Sequence, residues 1–151
     1  MNSPRPQDLQ RFLEAQHPVY DRVVQELRGG RKVSHWMWFV FPQLAGLGLS
    51  DMSRRYAITS LAEARAYLGH PVLGERLRAC SRTVLTHAGT PAAAIFGSID
   101  ALKLRSSLTL FALVGEPEDP FVACLDAFFG GARDEATLHE LQQPVGRSDG
   151  T

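Results

Sequence analysis

From Leu104 to Val114 the chain is apolar on nearly every face of a helix. A helix without a polar side cannot lie on a surface, so its neighbours must wrap around it. Ser98 stands where an N-cap is needed, and Asp100 suits the first turn. The sequence therefore predicts a central helix over 98–114 with the rest of the chain packed about it. With 151 residues the chain can bury one proper core and is short for two. A hydrophobic share of 44% against 21% charged fits a soluble globule and argues against disorder over most of the length.

The flanking stretches carry further helix signals. Asp8 reads as an N-cap, and Leu9, Phe12, Leu13 and Gln16 share one face. Tyr20, Val23, Val24 and Leu27 continue that face in phase. Pro18 lacks the N–H that the turn needs, which gives either one kinked helix or two in line, with Pro18 at the first position of the second. Gly29 and Gly30 stop it. Ser60 with Glu63 forms a capping box ahead of Leu61, Ala64 and Leu68, and Gly69 ends that helix. His70 and Pro71 open the next, whose stripe is Leu73, Leu77, Cys80 and Val84, with Arg76, Arg78 and Arg82 off the stripe and Gly89 at its close. Thr90-Pro91 starts a short helix through Phe96. Asp119-Pro120 starts one along Phe121, Leu125 and Phe128, and Asp134 caps a last one carrying Leu138 and Leu141.

The expected fold is thus mainly α, a compact single-domain bundle of about six to eight short-to-medium helices with little or no sheet. A flexible arm over 1–7 and a disordered tail over 143–151 flank a single helical domain at 8–142.

Residues 31–43, Arg-Lys-Val-Ser-His-Trp-Met-Trp-Phe-Val-Phe-Pro-Gln, hold both tryptophans of the chain. As a strand, both faces would be mostly apolar. As a helix, Ser34 is the N-cap and Pro42 the stop. The scarcity of partner strands favours a short helix. Residues 44–53 read as a loop, with Gly46 and Gly48 permitting unusual backbone.

This stretch is also the candidate site. His35 is the choice for a general acid or base, because its unperturbed pKa lies near neutrality. A histidine between apolar neighbours can equally serve as a structural donor. Lys32 follows two glycines and suits an anion, although the order of a Walker loop is missing. It can equally complement the preceding helix dipole. Phe39 and Phe41 belong to the core, whereas Trp36 or Trp38 offers a ring to stack on. On the 98–114 helix, Asp100, Lys103 and Ser107 share one side. Gln43 and Tyr56 complete the candidate ligand-binding set. The corresponding function is binding of a small anionic, ring-bearing metabolite such as a nucleotide derivative. The alternative is a non-enzymatic protein-interaction module using an aromatic surface around 31–49. Whether the protein is an enzyme is left open.

Sixteen basic and sixteen acidic side chains cancel, so the basic excess of a sequence-independent nucleic-acid binder is missing. No His, Cys and Asp spacing suggests a metal, and no cofactor is implied. Cys80 and Cys124 lack the spacing of a redox pair. Cys80 reads as a buried thiol, with one disulfide to Cys124 as the other possibility. The polar start of the chain lacks a secretory pattern, and no apolar run is long enough for a bilayer. A cytoplasmic location is expected.

Lys32–Gln43, Tyr-Ala-Ile at 56–58, His-Pro-Val-Leu-Gly at 70–74, Ile-Phe-Gly at 95–97 and Lys103–Phe111 resemble a bacterial family, the domain-of-unknown-function family numbered eighteen-ten. The resemblance runs from about Asp8 to Leu141. Val40 and Leu108 depart mildly from it, where isoleucine and methionine are more usual. It implies a mainly helical fold and no established activity. Members often carry the label calpastatin, but calpastatin inhibitory segments are disordered peptides, unlike a chain of this composition.

Overall fold

The computed structural model describes residues 6–142, and the expected arm and tail fall mostly outside them. Ten helices occur in order among the described residues: α1 (Pro6–Gln16), α2 (Tyr20–Arg28), α3 (Met37–Val40), α4 (Asp51–Arg55), α5 (Leu61–Gly69), α6 (Leu73–Leu85), α7 (Ala92–Phe96), α8 (Ser98–Val114), α9 (Phe121–Phe129) and α10 (Glu135–Gln142). The fold is mainly α, as the residues suggest. The count exceeds six to eight because the chain breaks into two helices near Pro18 and α4 forms where a loop is expected. Among the described residues the only β pairing is one isolated parallel bridge, Leu44 to Ile58.

α8 is the organising element. Ala101, Leu104 and every residue from Ser106 to Phe111 are buried, and α5, α7, α9 and α10 all pack against it. α6 closes the far side against α2, α5 and α9, while α1 contacts α3. Aromatic pairs knit the layers: Phe12 meets Tyr67 edge-on at 5.0 Å, and Tyr67 meets Phe111 at 5.4 Å. Such pairs add roughly 0.5–1.5 kcal/mol each beyond simple burial.

Several local expectations are corrected. Asp8 lies inside α1, which begins at Pro6, so it is not the N-cap. The chain does break between α1 and α2, but Pro18 sits two residues before the second helix rather than at its first position. Ser98 is the first helical residue of α8, and Gly97 with φ of 85° stands at its cap. α6 begins at Leu73, not Pro71, because the His70 ring takes over the capping. Its Nδ1 accepts from the backbone N–H groups of Val72 and Leu73 at 3.1 and 3.2 Å. α6 ends at Leu85, before Gly89. The expected loop at 44–53 gives way to α4 at Asp51, where the Ser50 hydroxyl accepts from the Ser53 N–H.

The capping box at α5 forms, with a variation. Ser60 Oγ accepts from Glu63 N–H at 3.1 Å. The Glu63 carboxylate reaches one residue further back, accepting from Thr59 N–H at 2.7 Å and its hydroxyl at 2.8 Å. Arg11 of α1 then joins Glu63 at 3.3 Å and donates to the carbonyls of Arg55 and Ala57. A local helix cap is thereby extended into a tie between α1, α4 and α5.

Candidate functional site

Residues 31–43 form a short helix flanked by turns rather than a strand. α3 covers only Met37–Val40, and Pro42 lies just beyond it. Ser34 is not its cap: Trp36 occupies that position without a capping side chain. The Ser34 hydroxyl donates instead to Glu26 Oε2 on α2.

Glu26 is the hub that the sequence does not reveal. Its Oε1 accepts from Val33 N–H at 2.8 Å, Ser34 N–H at 3.0 Å and the Trp36 indole N–H at 2.8 Å. Partial burial pushes the carboxyl up, yet the hydrogen bonds from Ser34, Val33 and Trp36 outweigh it and bring it down to about 2. An acid that accepts from four donors beyond the Gly29-Gly30 stop fixes where the aromatic segment leaves α2. Beyond the glycines, Lys32 N–H donates to the Ile95 carbonyl at 2.7 Å, which pins the segment to α7.

Lys32 and Lys103 converge, although about seventy residues separate them. Asp100 bridges them. Lys32 Nζ lies 2.9 Å from Asp100 Oδ2, and Lys103 Nζ lies 3.6 Å from Oδ1. Each ammonium also sits over a tryptophan, Lys32 at 5.1 Å from the Trp36 ring and Lys103 at 5.3 Å from the Trp38 ring. The two lysines are not equivalent. The Lys32 side chain is 7% exposed and also donates to the Ser34 carbonyl at 2.7 Å, whereas Lys103 is 24% exposed. Lys32 is a buried tie, and Lys103 is the cation that solvent reaches.

The remaining candidates divide. Trp36 is 1% exposed and belongs to the core, so only the half-buried Trp38 offers a ring face near solvent. Tyr56 is also core, packed on Phe12 and Phe39. His35 is exposed, because the turn before α3 rotates it away from its apolar neighbours. Ser107 is 1% exposed, and its hydroxyl has no hydrogen-bond partner among the described residues. Gln43 and Lys103 share a shallow cavity of about 250 Å³ with Leu47, Ile99, Leu102 and Asp134. Asp134 is occupied there. It caps α10 by accepting from Thr137 N–H and hydroxyl, and it faces Arg105 at 3.9 Å.

Among the described residues no group of His, Cys, Asp and Glu is arranged to hold a metal ion. No helix there is long and apolar enough to cross a membrane. Cys80 and Cys124 are free and buried, and burial pushes both thiols up to about 12.

Comparison with known proteins agrees with this architecture and leaves the chemistry open. No curated protein matches the chain. It is similar to the crystal structure of the conserved hypothetical protein Rv1873 from Mycobacterium tuberculosis, with 52% identity and a TM-score of 0.88, covering 91% of this chain and 98% of that one. Residues 6–141 match the family described as "Protein of unknown function (DUF1810)", and the chain belongs to that family.

Proposed function

We propose that the protein binds a small anionic, ring-bearing metabolite at the Gln43–Lys103 cavity. The observation that carries this reading is a charge imbalance at its rim. Two lysines share one carboxylate, and the better-paired one is Lys32. Lys103 thus brings uncompensated positive charge to a concavity that also holds the Gln43 amide. Leu47, Ile99 and Leu102 supply apolar walls for a ring. The volume lies below the roughly 300–1,000 Å³ of drug-sized sites. It suits one ring with its anionic group at the mouth, such as the base and phosphate ends of a nucleotide derivative. Lys32 contributes by holding Asp100, not by touching ligand. Two buried free thiols fit a reducing, cytoplasmic setting.

The test is a thermal-shift screen against nucleotides and phosphorylated metabolites. A true ligand at about 100 times its Kd should stabilise the fold by about 2.7 kcal/mol. Lys103→Ala should abolish that shift. His35→Ala should abolish it only if the exposed imidazole reaches the ligand. Failure of every compound would sink this reading.

One observation favours a second reading, a non-enzymatic interaction module. Ile99 and Leu102 at the cavity are 70% and 60% exposed, and Val33 and Leu49 are 71% and 82% exposed. Contiguous exposed apolar side chains mark protein-binding faces, and Ile99 and Leu102 border the same cavity. A screen without hits would favour it.

A further inference from the structure

A second cavity, of about 640 Å³, is bordered by the end of α1, the turn before α2 and the start of α6. It shares no lining residue with the Gln43–Lys103 cavity. Leu13, Pro18 and Val72 give it apolar walls, and Arg76, Glu14 and His17 are its ionisable groups. Its volume falls within the range of small-molecule sites.

Arg76 and Arg133 are the two half-buried cations among the described residues that the ion pairs leave out, and of these Arg76 lines the cavity. Arg11, Lys32, Arg78, Lys103 and Arg105 each face a carboxylate at 2.7–3.9 Å. Arg76, also half-buried, faces none within 4 Å among the described residues. Its Nη1 donates to Gln16 Oε1 at 3.3 Å, and its guanidinium lies 4.5 Å over the Tyr20 ring. Gln16 is in turn fixed. It is 2% exposed, and its Nε2 donates to the Phe39 carbonyl at 2.7 Å and the Tyr67 hydroxyl at 2.9 Å. A guanidinium has five N–H donors in a rigid fork, and Gln16 takes only one. Stacking and the Gln16 anchor hold the fork in place, so little ordering cost remains for a ligand to meet.

We infer that this cavity binds an amphipathic monocarboxylate, its alkyl or aryl chain on Leu13, Pro18 and Val72 and its carboxylate on the Arg76 fork. Paired N–H donors match a carboxylate bidentately. A dianionic phosphate fits less well, because Glu14 sets a negative charge in the same cavity.

The experiment titrates decanoate into isotope-labelled protein at pH 7 and follows backbone amide shifts, with decanamide and decyltrimethylammonium as neutral and cationic controls. Saturable shifts should centre on Leu13, His17 and Val72, and decanamide should bind on the order of tenfold more weakly. Arg76→Gln should reduce decanoate to the decanamide level. Because that change also loosens Gln16, Val72→Glu serves as a second variant. It places a like charge on an exposed part of the wall and should cause the same loss with an unchanged melting temperature. Equal affinity for decanoate and decanamide would overturn the inference. So would shifts centred elsewhere, or none that saturate.

Discussion

The indole N–H of Trp36 donates to Glu26 Oε1 at 2.8 Å, joining a buried aromatic of the 31–43 segment to the outer part of α2. The same carboxylate takes two backbone N–H groups and the Ser34 hydroxyl. One side chain therefore satisfies donors that the turn leaves without helix or sheet partners, and unmet buried donors are costly.

Glu26→Ala should destabilise the fold by about 3 kcal/mol, since the Trp36 indole and two amides lose their acceptor together. Glu26→Gln keeps one oxygen in place and should cost only about 1 kcal/mol. The pH response separates charge from shape. The carboxyl sits at about 2 in the fold against 4.5 unperturbed. Its contribution is complete above about 4.5 and disappears as pH falls towards 2. Denaturant midpoints between pH 5 and 2 should fall less steeply for Glu26→Gln than for the parent chain. Parallel curves would show that Glu26 carries no such linkage.

Among the described residues Asp100 is the single carboxylate facing Lys32, whose side chain is 7% exposed. Removing it leaves a buried ammonium with only the Ser34 carbonyl and the Trp36 face. Asp100→Asn should cost about 2–3 kcal/mol, at the lower edge of values for breaking buried pairs because Asp100 is partly solvated. Adding Lys32→Met should restore part of the loss, since the stranded charge goes with it. Chemical denaturation of the two single variants and the double variant closes the cycle. Strict additivity would mean that the pair is not coupled.

Gly74 and Gly69 form a matched pair. A Cβ at Gly74 would collide with the Leu68 carbonyl oxygen, which also accepts from Arg78. At Gly69 a Cβ would meet nothing within 4 Å. Gly74→Ala should destabilise by about 2–3 kcal/mol despite the better helix propensity of alanine. Gly69→Ala should be neutral or stabilising by up to about 1 kcal/mol. Melting temperatures of the two variants test this directly, and equal effects would refute the close approach of α5 and α6 at that point.

How much of this was legible in the chain depends on how local each cause is. The burial of α8 follows from its own composition, and the Ser60–Glu63 cap from a spacing of three residues. Those features need no knowledge of the rest of the fold. Glu26 gave no signal, because its four donors lie seven to ten residues on and across a glycine turn. In sequence it is one acid on a solvated helix face. The exposure of His35 was hidden for the converse reason. Its apolar neighbours suggest burial, but a turn of irregular backbone separates the direction of adjacent side chains and leaves it in solvent. Lys32 could be singled out as a cation beside aromatics and Lys103 as a cation sharing a helix side with Asp100 and Ser107, whereas the meeting of both lysines at Asp100 is a property of the packed fold. Arg76 was visible only as a charge off the α6 stripe. Its lack of a carboxylate partner emerges from three-dimensional pairing.

The placement of Trp36 and Trp38 has an optical consequence. They are the chain's two tryptophans, one bonded to Glu26 and the other beneath Lys103. Indole emission therefore samples a single corner of the molecule, while far-ultraviolet dichroism averages over all its helices. The two spectra will trace the same melting curve only where that corner comes apart together with α8. Any gap between them measures how independently the Glu26 clamp opens.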